Sequence, residues 1–370
     1  MKVLFIHRLN VDFPQSKGIV EKEHAIAQAF KFHGYDVDIL CNNNHGILLN
    51  GKLIENRRFY QTADSVFSRV ISVLNDSKYD VIYLRFSPLS FLQYSTFKDV
   101  KIKFPNVKIL VAVPNFPFLY EFSFFKKMIL KFVISKQWKS MHQWADKILH
   151  LGPEKEIFGI ETIPFDNGID ITEIPQKKVH PMRGNQFNLI YVGSFWQWQG
   201  FESLLRGMAN VRNNKEYKVN LILVGYGPEI SNLKAKIYEL GIQEMVTFYP
   251  PKYGVELDNI FEEAHIGIGT LHHVSRQLAY SANLKHRNYA ARGLPFIYNV
   301  PDHAFQRING AYLIDQKEVN VTQIIEWYKS DVLPNISTIS NELRDHASQT
   351  LSWRGIVKKV LIAVNLPYEN

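Results

Sequence analysis

Short apolar runs alternate with longer amphipathic segments along this chain, and the alternation starts, stops and starts again. In the first half the runs are residues 3–6, 37–40, 81–84 and 108–113. Between the first two, Ile19, Ile26, Ala29 and Phe30 recur at helical spacing, and Gly34 supplies a C-terminal stop before the next strand. Strand, helix and strand in that order predict parallel pairing through a right-handed crossover, hence a doubly wound α/β sheet.

The second half repeats the pattern. FNLIYVGSF (187–195) reads as a buried strand, GFESLLRGMANVR (200–212) as a helix, KVNLILVGYGP (218–228) as a strand and EISNLKAKIYELG (229–241) as a helix. Residues 245–250, 264–270 and 294–299 supply three further strands, with a helix over 284–292 before the last. Periodicity breaks over 166–186, where polar residues, Pro175 and Gly184 intervene. The predicted architecture is therefore α/β, two doubly wound Rossmann-like domains facing a cleft. Residues 1–172 form the first domain and 173–350 the second. A last helix within 351–370, offering Trp353, Ile356, Val360 and Ile362 for packing, crosses back to the first domain.

Composition narrows the classes of function. At 46% hydrophobic and 21% charged, the 370 residues describe a folded protein, not a disordered or low-complexity chain. One cysteine, Cys41, excludes a disulfide framework and a multi-cysteine zinc site. No run approaches the roughly 20 apolar residues of a membrane span, and residues 3–6 are too few for a signal-peptide core, so a cytoplasmic location is expected. The net charge of +8 admits nucleic acid, an anionic membrane or a phosphorylated small molecule.

Strand-to-helix turns are where anions bind, because helix N-termini present unpaired N–H groups. Gly193 ends one strand of the second half, and Gly225, Gly227 and Pro228 precede a helix; Gly18 holds the same kind of turn in the first half. The most informative segment is LHHVSRQLAYSANLKHRNYAARGLPFI (271–297), whose Arg276 and Lys285 would project into the cleft. Two such cations suit a diphosphate, and arginine can engage two of its oxygens at once.

Residues 17–40 (KGIVEKEHAIAQAFKFHGYDVDIL), 110–121 (LVAVPNFPFLYE), 167–170 (NGID), 221–229 (LILVGYGPE) and 283–297 (NLKHRNYAARGLPFI) resemble, in that order, the GT-B fold glycosyltransferases of the retaining family 4 type, which act in bacterial capsule and exopolysaccharide assembly. The resemblance implies transfer of a sugar from a nucleotide diphosphosugar, without cofactor or metal, to a glycan or polyprenyl-linked acceptor. It implies donor contacts from Gly18, Gly193, Gly225, Tyr226 and Asn288, and assigns Arg276 and Lys285 to the diphosphate. The chain departs from the pattern at Asn288 and Tyr280, where the family carries glutamates, and at Ser194 and Gln199, where many members carry arginine and lysine. A catalytically silent protein that positions a partner transferase is the alternative.

The first domain is expected to hold the acceptor through Asn115 and Glu121, with His7 and His24 as further candidates. Within 121–144, Phe122, Phe125, Ile129, Phe132 and Val133 share a helical face beside Lys126, Lys127, Lys131, Lys136 and Lys139. That pattern suits an anionic bilayer on the inner face of the plasma membrane; an ordinary core-facing helix with solvated lysines is the other reading. No nucleic-acid-binding module is present, so a nucleic-acid partner is not expected.

Overall fold

The computed structural model describes residues 1–369 except 14–15, 58, 60–61, 89, 114–115, 117–137, 173, 180–183, 272–281 and 315–317. The chain divides into two compact units, Met1–Asp166 with Trp353–Asn370, and Asn167–Ser352.

The first unit is built on a nine-stranded sheet. Its strands are β1 (Lys2–Asn10), β2 (Asp36–Asn42), β3 (Gly46–Leu49), β4 (Lys52–Asn56), β5 (Val81–Arg85), β6 (Lys108–Val113), β7 (Lys147–His150), β8 (Glu156–Ile157) and β9 (Ile160–Pro164). They lie in the order β4-β3-β2-β1-β5-β6-β7-β9-β8. The central strands from β2 to β9 run parallel, while β3, β4 and β8 pair antiparallel at the edges. Strand order reverses between β1 and β5, the kind of switch point at which doubly wound sheets bind ligands.

Val3, Leu4, Phe5 and Ile6 are each at most 1% exposed, as expected of a strand covered on both faces. In the helix Lys17–Phe32, Ile26, Ala29 and Phe30 are buried as predicted, but Ile19 is exposed and Val20 takes its place inside. The C-terminal helix Trp353–Ala363 belongs to this unit, where Lys22 Nζ lies 5.7 Å from the centre of the Trp353 ring. Beyond it, Tyr35 donates to the Pro367 carbonyl at 2.7 Å. Trp353, Ile356 and Val360 are buried together with Val357 and Leu361, whereas Ile362, expected to pack, is exposed. It falls two residues past Val360, on the other side of the 3.6-residue turn.

The second unit carries a six-stranded parallel sheet of β10 (Gln186–Ser194), β11 (Lys218–Tyr226), β12 (Val246–Tyr249), β13 (Ile266–Ile268), β14 (Phe296–Tyr298) and β15 (Ala311–Leu313). Its order, β12-β11-β10-β13-β14-β15, places the switch point between β10 and β13. Residues 167–172, assigned to the first domain from the sequence, lie with this unit. Asn167 donates its amide to the Ala282 carbonyl at 2.7 Å, and Ile169 N–H donates to the Leu351 carbonyl at 2.8 Å.

Candidate functional site

The second unit's switch point is assembled from the ends of β10 and β11, the turn 195–200 and the helix Leu284–Ala291. Gly193 and Gly225 are directly paired neighbours on β10 and β11. A Cβ on Gly225 would stand 1.9 Å from the Gly193 carbonyl oxygen, so glycine there is required by backbone packing before any ligand is considered. Gly200, at φ +75°, is equally constrained: a Cβ would lie 1.6 Å from the Leu271 carbonyl oxygen. This close approach holds Gln199 against the residue that follows β13 and Thr270, and Leu271 N–H donates to the Gln199 carbonyl at 3.3 Å.

Into this corner comes Lys285. Its ammonium donates to the Tyr191 phenol and to Gln199 Oε1, each at 3.2 Å, and lies 4.6 Å from the centre of the Tyr191 ring. Neither partner is an anion. Burial therefore acts on the amine without a compensating carboxylate and pushes its pKa down to about 7. Tyr191 is itself buried, donates to the Ser194 carbonyl at 2.8 Å, and has its phenol pKa raised by burial. The arrangement is a cation held by neutral dipoles at a strand end, suited to meeting an anion.

The residues beside Lys285 do something different. Arg287 is 0% exposed, with NH1 and NH2 at 2.5 and 3.1 Å from the carboxylate of Asp302. Its Nε donates to the Asn167 carbonyl at 3.0 Å. His286 Nδ1 lies 2.9 Å from the same carboxylate, and Thr270 N–H donates to His286 Nε2 at 3.4 Å. Burial lowers the His286 pKa, and the neutral ring fits both contacts with the proton on Nδ1. Asp302 is raised by burial, but the bonds from His286 and Arg287 reverse this and leave it below its ordinary value. Asp302 thus anchors the start of the helix that presents Lys285.

Asn288 is turned to a further partner. Its Oδ1 accepts from Arg292 Nε at 3.0 Å, and Arg292 also pairs with Asp258 at 2.7 Å. Tyr226, opposite Ser194 in the β10–β11 register, is 64% exposed and accepts from Phe195 N–H through its carbonyl. The structure therefore gathers Gly193, Gly225, Tyr226, Lys285 and Asn288 on the second unit. Gly18, in the first turn of the helix Lys17–Phe32, belongs to the first unit. Arg276, Asn115, Glu121 and Tyr280 lie outside the described residues. So does 121–137 of the basic aromatic segment; of its remainder, Met141 and Trp144 are buried in the first unit.

Sequence reasoning missed two members of the corner, the Tyr191 phenol and the Asp302 carboxylate. Tyr191 sits inside an apolar strand and looks like core, while Asp302 is separated from Arg287 by a strand and a turn. Burial along β10 is continuous from Phe187 to Tyr191, so no local signal could have pointed to the first.

Residues 172–272 match a family model, Glycosyl transferases group 1. An uncharacterized glycosyltransferase of Methanocaldococcus jannaschii is 24% identical over 145 residues, 36% of this chain and 37% of that protein, so the match spans little more than a third of the relative's length. Sucrose-phosphate synthase from Thermosynechococcus elongatus superposes with a TM-score of 0.65 at 13% identity, over 99% of this chain and 98% of the other. Anabaena HepE in complex with UDP gives 0.66 at 14% identity, over 99% and 100%. The fold is that of the GT-B glycosyltransferases. The family model covers residues 172–272 alone, and these structures, at 13% and 14% identity, carry the fold and nothing finer.

Proposed function

We propose that this chain is a retaining, metal-independent glycosyltransferase of the hexosyl type. In this reading it moves a sugar from a nucleotide diphosphosugar to a glycan or polyprenyl-linked acceptor in cell-surface polysaccharide synthesis. The observation that carries the reading is Lys285, a desolvated amine at the switch point whose described partners are neutral. The resemblance implied a lysine at position 199, where this chain has glutamine. Here the amine arrives from the helix start instead and ends 3.2 Å from the Gln199 amide oxygen.

When the bond between the anomeric carbon and the diphosphate breaks, negative charge grows on the departing diphosphate. A diphosphate beside Lys285 restores the proton that burial disfavours, and the resulting ammonium stabilises that charge, a role Arg276 shares in this proposal. Gly193 leaves the end of β10 without a side chain, so backbone can approach the nucleotide. Asn115 and Glu121 would serve the acceptor, and 121–144 would rest on an anionic inner leaflet, which gives a lipid-linked acceptor access.

Purified protein should bind UDP or GDP, and should transfer sugar from one of their nucleotide sugars to a glycan or polyprenyl-linked acceptor. Lys285→Ala should abolish transfer and weaken nucleotide binding by about tenfold or more; full turnover in that variant overturns the reading. A second reading, a GT-B protein that binds and positions a partner transferase, is favoured by one observation. Asn288 stands where the family has a carboxylate and is already engaged by Arg292. It requires nucleotide binding without transfer, and a stable complex with another transferase recovered from cells.

A further inference from the structure

The second sheet carries a cavity at the end opposite the Lys285 corner. It measures about 360 Å³ and lies at the starts of β10, β13 and β14, where Gln186, His265 and Pro295 line it. The nine residues of β10, roughly 25 Å at the usual rise of a strand, run between the two places. Small-molecule sites begin at about 300 Å³, so the space is enough for a compact ligand. One wall is the segment of Lys177, whose backbone N–H donates to the Arg292 carbonyl at 2.8 Å and is thereby tied to the turn before β14.

Three donors on the cavity wall are short of an acceptor. His265 Nδ1 accepts from Asn188 N–H at 3.0 Å, so the proton of the neutral ring stands on Nε2. Burial first, then the charge of Lys177, keeps that ring neutral by pushing its pKa down to about 4. Tyr328 is 3% exposed, and burial raises its phenol to about 12, so the hydroxyl keeps its proton. Neither His265 Nε2 nor the Tyr328 hydroxyl has a hydrogen-bond partner among the described residues, and neither atom is sealed from solvent. The third donor is Lys177 Nζ, whose bond goes to the Lys178 carbonyl at 3.1 Å. Burial lowers its pKa, and the charge of Glu262 offsets this only in part. Glu262 Oε1 accepts from the Lys178 N–H at 3.2 Å, while Lys178 and Glu263, exposed on the same wall, offset each other in charge. Tyr328 also opens a π-helical stretch, Tyr328–Val332, and such widened turns are concentrated at functional sites.

These donors restrict the ligand. A carboxylate offers two oxygens with about four lone pairs, enough for all three. Its single charge suits one partly buried ammonium, whereas a doubly charged phosphate would leave a charge without a partner. The rest of the lining includes Ala264, Leu294, Pro295 and Ile336, which suit an apolar body. We infer that this cavity binds a small monocarboxylic acid with a short apolar body, its carboxylate accepting from Lys177, His265 and Tyr328. The site is separate from the sugar-transfer reading and does not depend on it.

The test is NMR of the full chain labelled with 13C at histidine, the His265 signal being assigned by its loss in His265→Gln. Hexanoate, benzoate and hexanamide are titrated singly. Hexanoate or benzoate should shift the His265 signal saturably, and hexanamide should bind about tenfold or more weakly. Affinity for the carboxylate, read from the same signal, should fall about tenfold or more in Lys177→Met and about threefold or more in Tyr328→Phe. Each variant removes one donor and keeps most of the side chain's bulk, so the fold is retained. The inference falls if neither carboxylate moves the signal, if hexanamide binds as tightly, or if both variants keep the affinity of the parent.

Discussion

Lys285 and Arg287 are two cations two residues apart on one helix, and they have opposite surroundings. Arg287 is fully buried and meets a carboxylate, two backbone carbonyls and, 5.5 Å away, the Phe305 ring. Lys285 is less deeply buried and meets a phenol and an amide. The pair teaches that burial alone does not mark a functional cation. A satisfied guanidinium holds the fold together, whereas an amine that burial has brought to about 7 keeps unspent affinity for an anion.

The comparison breaks first at Asp302. Asp302→Ala strands Arg287 and His286 together, and removing one partner of a buried pair typically costs about 3–5 kcal/mol. Chemical denaturation should show a loss of that size, and a change below about 1 kcal/mol would mean that Arg287 is not held by this carboxylate. Lys285→Ala should do the reverse. Stability should stay close to that of the parent, while nucleotide diphosphate affinity, read by calorimetry, falls by a factor of about ten to a hundred, the scale of losing one hydrogen bond to a charged group. A variant that lost stability and kept affinity would exchange the roles of the two residues.

Much of this comparison was out of reach of the sequence. The parallel strands were legible because a run such as 189–192 is apolar at every position, as a strand covered on both faces requires. The hairpin β3–β4 was not. Four residues of GILL followed by the exposed KLIEN give no sustained period, and an antiparallel edge needs none. Within the candidate site, glycines and cations could be read, but not their assignments. Nothing local says that Arg287 turns to Asp302, that Asn288 turns to Arg292, or that the Lys285 amine shares its corner with a phenol from β10. These depend on the pairing of strands far apart in the chain.

A smaller effect separates the two glycines of the β10–β11 pair. Gly225→Ala places a methyl 1.9 Å from the Gly193 carbonyl and forces β10 and β11 apart, so the melting temperature should drop by several degrees. At Gly193 the nearest atom to an added Cβ is the Tyr191 hydroxyl oxygen, at an ordinary 3.5 Å, and the cost is confined to the backbone at φ +148°. Gly193→Ala should therefore be the milder change in melting temperature. If it also weakens nucleotide binding more than Gly225→Ala does, backbone approach to the ligand occurs over β10.

The finest test is of protonation. The Lys285 amine has its pKa lowered from 10.5 to about 7 in the folded chain, so between these values the unfolded chain holds the extra proton. Unfolding then takes up a proton, and this residue's contribution makes the ligand-free protein more stable as pH rises from about 7 towards 10. Ligand binding has the opposite sign. A diphosphate raises the amine pKa, binding takes up a proton above pH 7, and affinity should fall as pH rises through that range. Parent minus Lys285→Met isolates the effect, because methionine fills similar space without titrating. Denaturation midpoints and nucleotide affinities of both proteins at pH 6.5 and 8.5 should diverge in these two opposite directions. Parallel behaviour of parent and variant would place the Lys285 pKa outside the window and remove the electrostatic distinction from Arg287.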